Sequence, residues 1–298
     1  MKFLHKFMRA IGFSEYTDRK KLKNLLTDTI VNADERAYTM NQEGVLLGEF
    51  CRNFADRMGI AVCGEFDEDD KFVYEYYYPY LRSDEITTTE DVSIERHAAK
   101  ESYAGICDDV KVGISLIFYL QNMIPYVKAQ SQGNLPVRGT TLTLTGLSTN
   151  GTILMPIQKN EDQKQRVKKE TANRNKLLAA ARKGDEDAIE TLTLEDMDMY
   201  SMISKRIQKE DVFSMVDTYF MPYGVECDQY SVLGEILKVD LVTNQITGEE
   251  IYLLKICCNE LTFDVSINII DLFGEPQVGR RFKGSIWLQG RVNFPDQL

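Results

Sequence analysis

The clearest pattern in this chain is a strict alternation of apolar and polar residues in its C-terminal quarter. From Leu261 to Ile269 every second residue is apolar, and before it Tyr252, Leu254, Ile256 and Cys258 share one parity. A two-residue turn at Asn259-Glu260 would join these stretches and pair Cys258 with Leu261. Each pair would then carry apolar side chains on one face, and a shift by one residue would lose that agreement. The pattern predicts a β-hairpin in a single register.

The segments around the hairpin predict a small β-domain at residues 223–298. A first strand fits residues 230–242, a short helical or turn segment follows the hairpin, and residues 280–294 alternate again as a closing strand. This is the order of elements in an OB-type barrel. The barrel is one strand short unless the closing strand bends into two at Gly284 or Gly290. An OB-like barrel and a small antiparallel sheet packed on helices are therefore both open.

The first half of the chain mixes helical and strand patterns without a βαβ rhythm. Apolar residues at helical spacing predict helices before residue 32, and alternation predicts strands between residues 59 and 80. The apolar run 113–122 suits a buried strand. Residues 140–157 predict a hairpin with its turn at Asn150-Gly151, a dipeptide typical of type I′ turns. The predicted fold class is α+β, and residues 1–158 form a mixed domain with an antiparallel sheet.

Charge changes sharply in the middle of the chain. Residues 159–183 hold nine basic and three acidic residues, a net charge of +6, whereas residues 185–198 hold seven acids and no base. Gly184 stops the first helix, and a third helix fits residues 209–220. Two helices of opposite charge would attract each other as an antiparallel pair. The sequence predicts a helical connector at residues 159–222, whose charges either lie on solvated faces or let the basic helix dock an acidic partner.

Composition limits the partners and the compartment. The formal net charge of −11 disfavours nucleic acid and an anionic membrane as partners. No stretch approaches the length of a membrane span, and His5, Lys6 and Arg9 interrupt the apolar start as no signal peptide would. Six cysteines without a C-x-x-C pair, and only two histidines, predict free thiols in a reducing cytosol and no structural zinc. We expect a cytoplasmic protein with no metal and no cofactor.

Candidate chemistry is sparse. The P-loop, Rossmann, zinc-protease and nucleophile-elbow motifs are all absent from the sequence. His97 is the only histidine outside the first helix, and Glu95 or Glu101 could orient it as a general base. Because spacing identifies no nucleophile, a structural or surface histidine is the simpler interpretation. We predict a non-catalytic interaction or scaffold protein with an unknown protein partner; the alternative is a hydrolase or small-ligand-binding protein that uses a cleft near His97.

Trp287, the only tryptophan, is the conspicuous residue of the β-domain. Its parity is opposite to that of the apolar residues of the closing strand, on the side that carries Lys283 and Arg291, with Arg281 nearby. Such a face on an OB-like barrel could bind single-stranded nucleic acid or an oligosaccharide weakly. An exposed indole is unusual, however, so interdomain packing is the favoured interpretation. The indole would then pack on the N-terminal domain or on the connector, whose methionines include Met197, Met199, Met202 and Met215.

Three segments of the chain are similar to one family. They are the opening His5–Ser14, the run Gly113–Asn122 and the tail Gly274–Gly290. Together they resemble a family of uncharacterised full-length proteins from clostridial Firmicutes, described as a domain of unknown function. The resemblance implies a bacterial cytoplasmic protein and transfers no functional residue. The tail also resembles OB-type barrels, which is a resemblance of fold and not of function.

Overall fold

The computed structural model describes residues 5–96, 102–109, 111–112, 114–133, 139–157, 161–181, 183–206 and 212–295. Two 3-10 helices span Lys6–Ile11 and Ile269–Asp271, and the α-helices are α1 (Arg19–Val31), α2 (Met123–Ser131), α3 (Glu161–Ala181), α4 (Glu186–Arg206) and α5 (Val212–Met215). The strands are β1 (Glu35–Met40), β2 (Leu46–Ala55), β3 (Met58–Phe66), β4 (Phe72–Leu81), β5 (Val92–Arg96), β6 (Tyr103–Cys107), β7 (Leu116–Leu120), β8 (Thr141–Leu154), β9 (Tyr219–Pro222), β10 (Gln229–Thr243), β11 (Glu250–Cys258), β12 (Leu261–Asn268), β13 (Leu272–Phe273) and β14 (Arg281–Asn293).

Strands β1 to β4 form an antiparallel sheet in sequence order, as the alternation between residues 59 and 80 predicts. Helix α1 packs on one face through leucines at helical spacing, among them the buried Leu22 and Leu26. The other face meets α2 and β7, where Tyr78 lies against Tyr119. Both faces are covered, which explains why β3 is buried along almost its whole length.

Strands β8, β12, β11, β10 and β14 close into a five-stranded barrel within a larger mixed sheet. The fifth strand is β8, which runs parallel to β12 and antiparallel to β14. The barrel alternative is therefore confirmed, and the fold class is α+β. The closing strand does not bend into two at Gly284 or Gly290, because β14 continues through both glycines; the strand that the tail lacks comes from the first half of the chain.

The hairpin expected at residues 140–157 is also wrong. Strand β8 runs through Asn150-Gly151 without turning, and Gly151 does not have a positive φ. Gly151 pairs with Gly284 of β14, and a Cβ on Gly151 would approach the ring of Phe282 to 2.5 Å. The glycine is needed there for the close approach of a large aromatic side chain and not for a turn.

The C-terminal hairpin has the predicted register. Cys258 pairs with Leu261, and the pairing continues along β11 and β12 to Tyr252 and Ile267. The two turn residues have φ of 49° and 64°, the left-handed values that a type I′ turn requires at both positions. The apolar side chains of both strands fill the barrel.

The helical connector is present as α3, α4 and the short α5, and α3 and α4 are separated at Gly184, whose φ is +88°. Of the third helix predicted at residues 209–220, the described residues form only the short α5, Val212–Met215, and the prediction is wrong for the end of that range. Residues 219–222 form β9, which pairs with β10. Hydrogen bonding to the open edge of β10 outweighs the local helical preference of this short segment.

Strands from both sides of the expected boundary between residues 158 and 159 pair in the barrel. The 3-10 helix Lys6–Ile11 lies between the two sheets and contacts β4, β8 and β12. It buries Phe7, Met8 and Ile11 there. Asn244 and Thr247 of the barrel donate side-chain hydrogen bonds to the carbonyls of Ile11 and Gly12, at 2.8 and 2.6 Å. The N-terminal segment thus ties the two sheets together.

Candidate functional site

Helices α3 and α4 form an arm that packs mainly on itself. Ala188 and Leu192, one turn apart on α4, are buried against α3. Arg174 of α3 donates to Asp196 at 2.7 Å and lies 3.7 Å from Glu195. The arm contacts the barrel through a hydrogen bond that the Asn175 side-chain amide donates to Glu260, at 3.1 Å. The arm therefore holds itself together by its own apolar and charged contacts.

The side of α4 that faces away from α3 carries apolar side chains among acids. Ile189, Leu194 and Met197 are 47%, 58% and 65% exposed, and Glu186 and Glu190 are exposed between them. These five residues are called the outer α4 surface below. The sequence pattern indicated Met197 only as a packing partner of Trp287, and the acidic character of residues 185–198 obscured the rest of the surface. The signal was present, since Ile189 and Met197 lie eight residues apart and outside the stripe of Ala188 and Leu192.

Arg281 fixes the base of the arm. Its side chain is buried, and its guanidinium donates to the carbonyls of Met155, Val216 and Phe213 at 3.0, 2.8 and 2.8 Å. Met155 precedes the arm, whereas the other two carbonyls follow it. Lys283 lies over the Phe213 ring at 4.1 Å. One strand of the barrel therefore holds both ends of the connector.

Trp287 is 4% exposed, and its covering residues come from the first half of the chain. Phe7 stacks on it with ring centroids 5.4 Å apart, and His5 and Tyr119 lie at 4.7 and 5.0 Å. The indole Nε1 donates to Asp228 at 2.7 Å. An indole enclosed in this way offers almost no surface to a base or a sugar, so the ligand-face alternative has no exposed aromatic platform here.

The structure does not bring the four predicted residues of β14 into one site. Arg281 and Trp287 are six residues apart, about 20 Å along an extended strand. Arg281 is buried at the arm, Trp287 is buried beneath the N-terminal segment, and Arg291 is exposed near the end of the strand. His97 lies outside the described residues.

A cleft of about 760 Å³ lies between the outer face of β10–β12 and two segments of the first sheet, the β2–β3 turn and the residues that follow β4. Most of its charged groups are paired with each other. Arg57 donates to the buried Asp264 at 2.8 Å, and Lys255 pairs with Glu85. Among the described residues, no group of three His, Cys, Asp or Glu side chains could hold a metal ion. The cleft therefore joins the two sheets by ion pairs.

Glu49 of β2 is buried between the first sheet and β7. Its Oε1 accepts hydrogen bonds from the Tyr78 hydroxyl at 2.8 Å and the Cys63 thiol at 3.6 Å. Burial raises the pKa of Glu49, with the hydrogen bond from Tyr78 acting in the opposite direction. Burial likewise raises the pKa values of the Cys51 and Cys63 thiols, which keeps both in the protonated, weakly nucleophilic form. The sequence signal for this cluster is one acid inside the apolar stretch of β2.

Glu49→Gln is expected to flatten the pH dependence of stability. Because the folded pKa of Glu49 is raised, the native state binds the proton more tightly than the unfolded state, whose ordinary value is 4.5. The free energy of unfolding therefore falls as pH rises from that value through the folded pKa, by at most about 1.4 kcal/mol per pH unit for one carboxyl. Urea unfolding across this pH range measures the slope. The exposed Glu65→Gln is the matched control, and equal slopes in wild type and Glu49→Gln would contradict the assignment.

The fold and its surfaces define an α+β protein in which an antiparallel sheet and a five-stranded barrel are joined by a buried N-terminal segment, with a helical arm inserted before the barrel closes. The chain belongs to the family named DUF3881, a domain of unknown function named from E. rectale, whose family profile matches residues 8–290. No curated protein and no solved structure matches the chain. In the described part of the chain, no helix has the length and apolar character needed to span a membrane.

Proposed function

We propose that this protein is a non-catalytic interaction module and that the α3–α4 arm is its docking element. The observation that carries the proposal is the outer α4 surface, where Ile189, Leu194 and Met197 are about half exposed or more. The arm has its own internal contacts, so these side chains are not needed to hold it together. Large apolar side chains grouped on one exposed helix face are typical of protein–protein contact sites.

The chemistry of the interior supports a non-catalytic role. Glu49 and the two thiols near it are enclosed among tyrosines of the sheet interface, and their raised pKa values keep the thiols protonated. In the cleft, Arg57 is engaged by Asp264 and Lys255 by Glu85. Neither place combines an accessible nucleophile with a general base.

We also propose that the protein acts in the cytoplasm. All six cysteines are free thiols, and four of them are buried. Thiols persist in this form in a reducing compartment. The buried positions also protect most of them from modification.

A triple variant of the arm tests the function. Ile189→Ser, Leu194→Ser and Met197→Ser together are expected to change the free energy of unfolding by no more than about 1 kcal/mol, because all three side chains are exposed. The measurement is chemical crosslinking in the native host followed by identification of captured proteins. The variant is expected to lose the partner that wild type captures.

The matched control removes apolar side chains that are at least as exposed from the body of the protein, at Val225, Ile270 and Phe273. The control triple-serine variant is expected to keep the captured partner. Loss of the partner in the control but not in the arm variant would show that docking occurs on the body. Equal capture by all three proteins would refute the arm as docking element.

A further inference from the structure

The outer α4 surface combines one sign of charge with an apolar stripe. We propose that it binds a basic amphipathic helix of another protein, an inference that rests on the proposed docking role of the arm. Residues 185–198 carry seven acids and no base. Arg174 of α3 forms ion pairs with Glu195 and Asp196, which lie toward α3. A partner that covers the outward-facing acids therefore has to carry positive charge there.

The spacing of the apolar residues fits a helical partner. Ile189 and Met197 are eight residues apart, about 12 Å along the helix axis at 1.5 Å per residue. Leu194 lies between them along the axis, Glu190 lies among the three apolar residues, and Glu186 precedes them by about one turn on the same side of the helix. A helix that lays apolar residues at i, i+3, i+4 and i+7 along this stripe would place its basic side chains against the glutamates. The partner helix would pack on α4 on the side opposite α3.

A second copy of this chain is a poorer occupant. Two outer α4 surfaces would bring acid against acid. Helix α3 is basic, but its described residues expose no large apolar side chain to meet Ile189, Leu194 and Met197. An anionic membrane surface is disfavoured by the same acids. The charge and the apolar stripe together select a basic amphipathic segment from a different protein.

The test uses designed peptides and the full-length chain. One labelled peptide places leucine at i, i+3, i+4 and i+7 with lysine elsewhere. The second has the same composition in scrambled order, and the third replaces lysine by glutamate. Fluorescence anisotropy titrations measure each affinity. We expect the patterned lysine peptide to bind at least about tenfold more tightly than the other two, a difference of about 1.4 kcal/mol, and its affinity to fall as salt is raised.

Variants separate the two components of the surface. The triple serine variant at Ile189, Leu194 and Met197 is expected to bind the patterned peptide at least about tenfold more weakly than wild type does. Glu186→Gln with Glu190→Gln should weaken it by a smaller factor and reduce the salt dependence. The body control at Val225, Ile270 and Phe273 should bind as wild type does. The inference would be overturned if the patterned and scrambled peptides bound equally tightly, or if the arm variants bound the patterned peptide as tightly as wild type does.

The experiments distinguish failure of the basic-helix inference from failure of the proposed docking role. If the arm variant loses its crosslinked partner in the host while no designed peptide binds wild type, the docking role stands and the basic-helix inference fails. Sedimentation of the wild-type protein tests whether a second copy of the chain occupies the surface instead. If wild type sediments as a dimer and the arm variant as a monomer, the surface mediates self-association and the basic-helix inference fails.

Discussion

Phe7→Ala is expected to lower the free energy of unfolding by about 4 kcal/mol, the usual cost of removing a fully packed phenylalanine side chain. Phe7 is 4% exposed and stacks on Trp287. It belongs to the 3-10 helix that lies between the two sheets, and it has no polar group with which to recruit a substitute contact. The truncation leaves a cavity at the point where the first sheet meets the barrel.

Intrinsic fluorescence reports this change at the site itself, because Trp287 is the only tryptophan. Emission in Phe7→Ala should shift to longer wavelength and become easier to quench with iodide, and the denaturant midpoint should fall. Phe273→Ala is the matched control, since that ring is 78% exposed and its removal should change stability by about 0.5 kcal/mol or less. An unchanged emission spectrum together with an unchanged midpoint would contradict the packing of the N-terminal segment.

Arg281→Met is expected to cost about 3 kcal/mol and to loosen the base of the arm. The guanidinium donates to three backbone carbonyls, and hydrogen bonds from a charged group contribute about 1.5–3 kcal/mol each. The net loss is smaller than their sum because methionine also removes the cost of burying a charge. Methionine preserves much of the apolar stem but leaves those carbonyls without this donor. Two of them belong to residues 213–216, so the effect should be concentrated where the connector returns to the barrel.

Limited proteolysis and chemical unfolding measure the two parts of that effect. In Arg281→Met, cleavage within residues 156–217 should accelerate more than global unfolding explains. Lys283→Met is the matched control on the same strand. It removes only the cation over the Phe213 ring, an interaction of about 0.5–1 kcal/mol at an accessible site. Equal cleavage rates in the two variants would show that Arg281 does not fix the arm.

Local patterning alone determined the most regular elements. The alternation on either side of Asn259-Glu260 was sufficient to place the hairpin in its register, because period two leaves only one pairing that puts all apolar side chains on one face. The charge reversal at Gly184 was sufficient to predict two helices that meet there. The three segments that resemble the DUF3881 family were likewise visible in the sequence, and the family profile covers residues 8–290.

Contacts distant in sequence decided the rest. Asn150-Gly151 has the composition of a turn, yet it lies inside β8 because the barrel needs a fifth strand and the ring of Phe282 needs space. The burial of Trp287 depends on Phe7, 280 positions earlier in the chain, and the environment of Glu49 depends on a tyrosine two strands away. The sequence by itself determined local period, charge and register. Which strand closed the barrel, and which polar side chains became enclosed, followed only from packing the two sheets around the N-terminal segment.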